Sequence, residues 1–158
     1  MANNKNIKKI IAVKKINLSK NYLKDAKTLL GKAGIDQEAS RYIDGKIVSE
    51  ASKKAYLSAL EALKALFIAK EKIDSSFLKK KIKNISIYNK ILTELDIGED
   101  KDFLLNLLKS VYDILYLGNY YRVLQDKKSI DSGFEKVEKI IKIVENYVKW
   151  ECIWKQST

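Results

Sequence analysis

One segment limits the fold more than any other, because its small residues recur with the period of an α-helix. In YIDGKIVSEASKKAYLSALEALKALF and the residues after it, alanine and larger apolar residues are spaced three and four apart. This spacing predicts a helix over about residues 47–72 with one inward stripe. A stripe of small residues either lets a second helix pack closely or leaves a groove for a ligand, and we expect packing because large apolar side chains flank it. The stripe consists of Ala51, Ala55, Ala59, Ala62, Leu66, Ala69 and Ile73.

The other apolar residues also recur at helical spacing, and no proline interrupts them. Ser19 is the predicted N-cap of the first helix, and Gly31 or Gly34 is its predicted end. Ser129 or Ser132 is the predicted cap of the last helix. These predictions rest on the local preference of serine for helix starts and of glycine for helix ends.

Together the segments predict an all-α protein, an up-and-down antiparallel bundle of four to five main helices with short connections. Two further helices are expected at about 85–95 and 99–125. Residues 35–44 read as a connection, and no segment is a convincing strand. Residues 17–158 are expected to form a single domain. Residues 1–16 form either a basic arm or a helical extension of the first helix.

The chain has no histidine and only one cysteine, Cys152, which excludes several kinds of site. Histidine-based acid–base catalysis, histidine-activated nucleophiles and nearly all zinc sites need residues that are absent here. One cysteine cannot form an internal disulfide, and no apolar run is long enough for a signal peptide or a membrane span. We therefore expect a cytoplasmic protein with no metal, no cofactor and no enzymatic activity. Without histidine, only carboxylate, lysine or tyrosine chemistry or a hard-cation site remains open to an enzyme.

Two short motifs resemble sites but lack the residues that would complete them. SFLK, residues 76–79, has the spacing of serine–lysine acylating enzymes without their companion motifs. Ser76 is therefore predicted to cap a helix or to lie in a loop. DIGEDKD, residues 96–102, has its glycine too early for a calcium-binding loop, so its acids are expected to charge a helix start.

Positive charge is concentrated at the N-terminus. Residues 1–32 hold nine lysines and one acid, a net charge of +8 out of +11 for the whole chain. A lysine-rich amphipathic segment binds nucleic acid, an anionic membrane surface or an acidic protein, unless it is only a solvated helix face. The candidate anion contacts in this segment are Lys8, Lys9, Lys14 and Lys15.

Aromatic residues mark two further candidate surfaces. NYYR places Tyr121 beside Arg122, the combination of a ring and a positive charge that stacking on nucleic-acid bases uses. Tyr147, Trp150 and Trp154 share a face near the end of the last helix, which favours a protein interface.

The alanine-rich segment, SVYDILYLGNYYR and SIDSGFEKVEKII occur in that order along the chain. In this the chain resembles a bacterial domain-of-unknown-function family of small helical bundles, over about residues 17–149. More distantly it is similar to HEPN domains, compact helical bundles that are often dimeric. Many of these are ribonucleases with an arginine followed a few residues later by a histidine, and others are inactive partners of small nucleotidyltransferases. Here Arg122 is followed by VLQDKKSI and the chain has no histidine, so the resemblance implies a non-catalytic member.

The sequence thus predicts a non-enzymatic binding or scaffold protein. Its expected partner is another protein or a second copy of itself. The alternative is a nucleic-acid-binding accessory protein that uses the lysine-rich N-terminal segment.

Overall fold

The computed structural model describes the backbone of three segments and most of their side chains. Ser76 of the SFLK motif and Arg122 of NYYR lie outside the described residues. The segments are 2–73, 84–121 and 124–156, with side chains described for 7–73, 84–119 and 124–148.

Within these segments, five main helices form an antiparallel bundle, which confirms the all-α prediction. After the fourth helix the chain continues into a π-helical turn and a short α5 before it turns back. The elements are α1 (Ala2–Leu30), α2 (Gly45–Ala69), α3 (Ile85–Glu94), α4 (Asp100–Val111), the π-helical turn (Tyr112–Leu117), α5 (Gly118–Tyr121) and α6 (Lys127–Gln156).

The alanine-rich helix α2 is the centre of the bundle, where it packs against α1, α3, the π-helical turn, α5 and α6. Ala51, Ala55, Ala59 and Ala62 are all 0% exposed, so the stripe is a packing surface, as predicted. The first turn of α2 is capped by Asp44, whose side chain accepts hydrogen bonds from the backbone amides of that turn.

The contact between α1 and α2 is fixed by a reciprocal pair of serine hydrogen bonds. Ser19 Oγ donates to the backbone oxygen of Ser58 at 2.6 Å, and Ser58 Oγ donates to the backbone oxygen of Ser19 at 2.7 Å. A serine side chain is short, so each bond requires the two helix backbones to approach closely. The small residues beside Ser58 on α2 allow that approach.

The predicted serine caps are therefore wrong. Ser19 lies in the middle of α1, and its hydroxyl donates a hydrogen bond to the backbone of α2 instead of capping a helix start. Neither Ser129 nor Ser132 caps α6, which begins at Lys127. Asp126 takes that place and accepts hydrogen bonds from the amide and the hydroxyl of Ser129.

The basic N-terminal residues are part of α1, which runs without a break from Ala2 to Leu30. Ala12 and Ile16 on this helix enter the core, at 0% and 4% exposed. The helix ends just before Gly31, as the glycine predicts.

A short hairpin links α1 to α2, and the expectation that the chain has no strand is wrong there. β1 (Ile35–Asp36) pairs antiparallel with β2 (Arg41–Tyr42). Strands of two residues are too short to show alternation in the sequence, so only the pairing reveals them. The hairpin is held to the bundle by Tyr42, whose hydroxyl donates a hydrogen bond to Asp131 on α6.

The π-helical turn depends on a glycine in the facing helix. A Cβ atom on Gly133 of α6 would lie 2.8 Å from Leu115 Cδ2, a distance that packed side chains do not tolerate. Glycine at this position therefore lets the Tyr112–Leu117 turn pack directly on α6. Beyond the turn, Asn119 Nδ2 donates long hydrogen bonds to the backbone oxygens of Ile114 and Leu115.

We expect Ala59→Leu to destabilise the protein, because Ala59 is fully enclosed by neighbouring helices. Overpacking of this kind lowers the free energy of unfolding by about 1–3 kcal/mol. Urea unfolding followed by circular dichroism measures it. Lys53→Leu places the same side chain on an exposed position of α2, so its effect should stay below about 0.5 kcal/mol. An unchanged stability for Ala59→Leu would show that the stripe faces a void.

Candidate functional site

The N-terminal half of α1 carries apolar side chains on the side that faces solvent. Ile7, Ile10 and Val13 are 52%, 55% and 41% exposed, and their spacing of three keeps them together on the helix surface. They point roughly opposite to Ala12 and Ile16, which enter the core. We call Ile7, Ile10 and Val13 the outer face of α1. Packing among the described residues does not account for this second apolar stripe.

Lysines accompany the outer face. Lys14 follows Ile10 by one turn and Lys9 precedes Val13 by one turn, and Lys8 and Lys9 are both half-buried. In the part of the chain that the structure describes, no carboxylate lies within ion-pair distance of these three lysines. Among the described residues, therefore, no ion pair neutralises the charge of these lysines.

Lys15, the fourth candidate anion contact, is tied into the bundle. Its ammonium lies 2.9 Å from Glu61 Oε2 on α2, and the other oxygen of Glu61 pairs with Lys64 at 3.0 Å. The side chains of Glu61 and Lys64 are 13% and 7% exposed. Lys15 thus compensates a largely buried carboxylate and has little freedom to contact an external anion.

A groove of about 590 Å³ runs between α1 and α6. Lys20 Nζ lies 2.7 Å from Glu145 Oε2 near one end, and Lys27 pairs with Glu138 near the other. We call these two ion pairs the groove bridges, and they join α1 to α6 across the groove. The lining residues are Lys20, Leu23, Lys24, Lys27, Thr28, Glu138, Ile141, Lys142 and Glu145.

A second groove, of about 380 Å³, lies where the hairpin meets α6. Asp131 accepts a hydrogen bond from Tyr42 and pairs with Lys127 at 2.6 Å. Burial raises the pKa of Tyr42, and the hydrogen bond to Asp131 and the charge of that carboxylate raise it further. The hydrogen bond from Tyr42 and the ion pair with Lys127 therefore use Asp131 to anchor the hairpin to α6.

Tyrosines also fill the space between α2 and the π-helical turn. The ring of Tyr56 lies 5.1 Å from Tyr116 and 6.0 Å from Tyr112, measured between centroids, and Tyr112 stacks on Tyr116 at 5.2 Å. Burial raises the pKa of both Tyr56 and Tyr88. Tyr56 and Tyr88 are fully buried in the core.

Of the predicted aromatic interface residues, Tyr147 makes contacts inside the bundle. Its hydroxyl donates to Asp100 Oδ2 at 2.8 Å and lies 3.1 Å from the backbone oxygen of Ile97, and Lys70 Nζ lies 5.2 Å from its ring centroid. Trp150 and Trp154 belong to the last turns of α6, and Tyr121 ends α5. The side chains of these last three residues lie outside the described residues.

The described segments lack two further features. They contain no group of three or more histidine, cysteine, aspartate or glutamate residues arranged to hold a metal ion. None of their helices combines the length and the apolar character needed to cross a membrane.

Comparison with known proteins gives the family. Residues 14–146 match the family described as Domain of unknown function (DUF5618). The chain belongs to this family. A solved structure, described as a protein of unknown function from Dyadobacter fermentans, is 30% identical and has a TM-score of 0.68, with 85% of this chain and 97% of that chain covered. No curated protein matches with significance. The expected membership in a domain-of-unknown-function family is confirmed, and the descriptions of its relatives name no activity.

Several residues that shape this surface were not predicted from the sequence. Ile7 and Ile10 fit a helical pattern, but the pattern alone did not show that they face solvent. Lys24 and Lys142 line the α1–α6 groove, and their proximity depends on a helix register that no local motif records. The spacing of apolar residues in the N-terminal segment was the one sequence signal that could have indicated the outer face.

We expect the stability of the protein to fall at alkaline pH because of its buried tyrosines. Burial and the hydrogen bond to Asp100 raise the pKa of Tyr147 from 10.0 to about 12. A raised pKa in the folded state contributes stability below the ordinary value of 10.0, and this stability is lost as the pH rises to about 12. Tyr147→Phe should remove the part of this alkaline loss of stability that Tyr147 causes. Urea unfolding between these pH values, with tyrosinate absorbance as a second readout, measures it, and an identical pH dependence in both proteins would contradict the assignment.

We expect Glu61→Gln to cost far more stability than Lys15→Met. The first change leaves Lys64 nearly buried without its counter-charge, which should lower the free energy of unfolding by about 2–4 kcal/mol. The second keeps the Glu61–Lys64 pair and the apolar stem, so its cost should stay below about 1 kcal/mol. Urea unfolding of both variants measures the difference, and equal losses would show that Lys15 is the main partner of Glu61.

Proposed function

We propose that this protein is a non-enzymatic binding protein of the cytoplasm, and that another protein docks on the outer face of α1. The observation that carries the proposal is the exposure of Ile7, Ile10 and Val13 on one side of a helix whose opposite side is buried. Contiguous exposed apolar side chains on a folded protein are typical of an interaction site. Lys9 and Lys14 beside them would form the polar edge of that site.

The charge of this surface selects the chemistry of the partner. Lysines surround the outer face, and the whole chain carries a net charge of +11. Two copies of so basic a chain repel one another, so a homodimer through this face is the less favoured form of the proposal. An acidic protein surface with an apolar centre complements both the charge and the exposed side chains.

The non-enzymatic part of the proposal is supported by the chain's own residues. The sequence has no histidine, and the described tyrosines with raised pKa values are held by burial or by carboxylates. A distant relationship to HEPN domains would make this chain a non-catalytic member, which agrees with a binding role.

Site-specific photo-crosslinking in the source cells tests the docking surface. A crosslinking amino acid placed at Ile10 or at Val13 should capture the same protein. The same amino acid at Lys109, an exposed position on α4, is the matched control and should not capture it. Adding Ile7→Glu should abolish capture from Val13, because a carboxylate would be buried against the partner.

Capture of equal yield from Lys109 would overturn the proposed docking surface. Capture of the protein's own chain alone would show that this surface does not bind a separate partner. Sedimentation of the purified protein separates the second outcome, since self-association would appear as a concentration-dependent mass.

The alternative is nucleic-acid binding through Lys8, Lys9 and Lys14. It is favoured by one observation, the absence of any acid in α1 before Asp25. Because Ala12 and Ile16 lie in the core, removing residues 1–16 would disturb the fold, and substitution is the better test.

If the alternative holds, affinity for a single-stranded oligonucleotide should fall steeply with salt, by counterion release. Changing Lys8, Lys9 and Lys14 together to glutamine should reduce the log–log slope by about 2, at roughly 0.7 for each phosphate that is no longer neutralised. Fluorescence anisotropy measures this, and affinity no better than millimolar at low salt would exclude the alternative.

A further inference from the structure

The groove between α1 and α6 has positive charge in its middle that no ion pair among the described residues compensates. The groove bridges neutralise one lysine and one glutamate near each end. Between them lie Lys24 on α1 and Lys142 on α6. No carboxylate among the described residues lies within ion-pair distance of either of these two lysines. Two ammonium groups on facing helices thus border one opening.

The floor of the groove is apolar. It is formed by Leu23 and Ile141, which are 7% and 5% exposed. An apolar floor between charged rims suits the amphipathic surface of a polypeptide better than a small inorganic anion. A groove between two antiparallel helices can accept a third helix along its length.

The Val13 edge of the outer face lies on the same side of α1 as Lys24. Lys24 follows Val13 by eleven residues, which is about three turns and about 16 Å along the axis. A single straight element lying along α1 can therefore contact the outer face and reach the Lys24–Lys142 pair.

We infer that the partner contributes an acidic amphipathic helix that lies along α1. Its apolar residues contact Ile10 and Val13, and about three turns away its carboxylates sit between Lys24 and Lys142. This inference rests on the proposed function, because it names the part of the partner that the outer face receives.

The same groove disfavours nucleic acid. Glu138 and Glu145 stand on the groove wall beside the two lysines, and a phosphate backbone lying in the groove would compete with them for their partners Lys27 and Lys20. A helix can instead place neutral or basic side chains there and keep its acids at the level of Lys24 and Lys142.

The probe for the test is a displayed library of helix-favouring peptides of about 18 residues, long enough to span this distance. The library is selected on the full chain, and the affinity of the recovered peptides is measured by fluorescence anisotropy. We expect acidic sequences with carboxylates about three turns from an apolar cluster. The double variant that carries Lys24→Glu and Lys142→Glu should bind these peptides at least about tenfold more weakly.

The matched control is Lys109→Glu with Lys128→Glu, which changes the net charge equally at exposed positions outside the groove. Its effect should stay below about twofold at physiological salt, where distant surface charges are screened. Replacing the acidic residues of the recovered peptides by lysine should restore their binding to the double variant that carries Lys24→Glu and Lys142→Glu. This restored binding would also show that the double variant is folded.

Each failure has its own signature. If Ile7→Glu with Ile10→Glu abolishes binding but Lys24→Glu with Lys142→Glu does not, the groove inference is overturned and the proposed function stands. Recovered peptides without net negative charge overturn the inference as well. If no peptide binds the natural chain more tightly than Ile7→Glu with Ile10→Glu, both the inference and the proposed function fall.

Discussion

The close contact between α1 and α2 is the interaction on which the rest of this structure depends. Alanines on α2 leave room for the backbone of α1, and Ser19 and Ser58 use that room to bond to each other's backbone. A larger side chain at these positions would separate the helices and leave buried hydroxyl groups unpaired. With this contact in place, α2 is surrounded by α1, α3, α6 and the helical segment that continues α4, and one continuous core results.

The same arrangement forms ion pairs and hydrogen bonds in the interior and leaves apolar and basic side chains exposed on α1. Glu61 pairs with Lys15 and Lys64, and Tyr147 bonds to Asp100, so these polar groups hold the bundle together. α1 has its buried side on α2 and α6, and its other side carries exposed isoleucine, valine and lysine. A basic helix with two apolar sides is suited to hold the bundle on one side and a partner on the other.

The fold was predictable from sequence wherever one helix pattern determined it. The alanine period located the central helix, and Gly31 marked the end of α1. The prediction failed where a residue had a competing partner far along the chain. Ser19 looks like a helix cap because its sequence neighbours cannot show that Ser58 will satisfy it. The hairpin at Ile35–Tyr42 was not predicted because strands of two residues show no alternating pattern in the sequence. Its position is supported by the hydrogen bond from Tyr42 to α6.

By itself the sequence determined an all-α bundle, the helix at its centre, the absence of histidine chemistry and the concentration of lysine at the N-terminus. These are properties of composition and of short-range periodicity, and each can be read within one helix. Only the tertiary structure decided which lysines are neutralised. Lys15, Lys20 and Lys27 meet glutamates from other helices, whereas Lys14, Lys24 and Lys142 meet none among the described residues. An ion pair between helices depends on their packing register, which is set by the whole core and is not written in any local stretch of sequence.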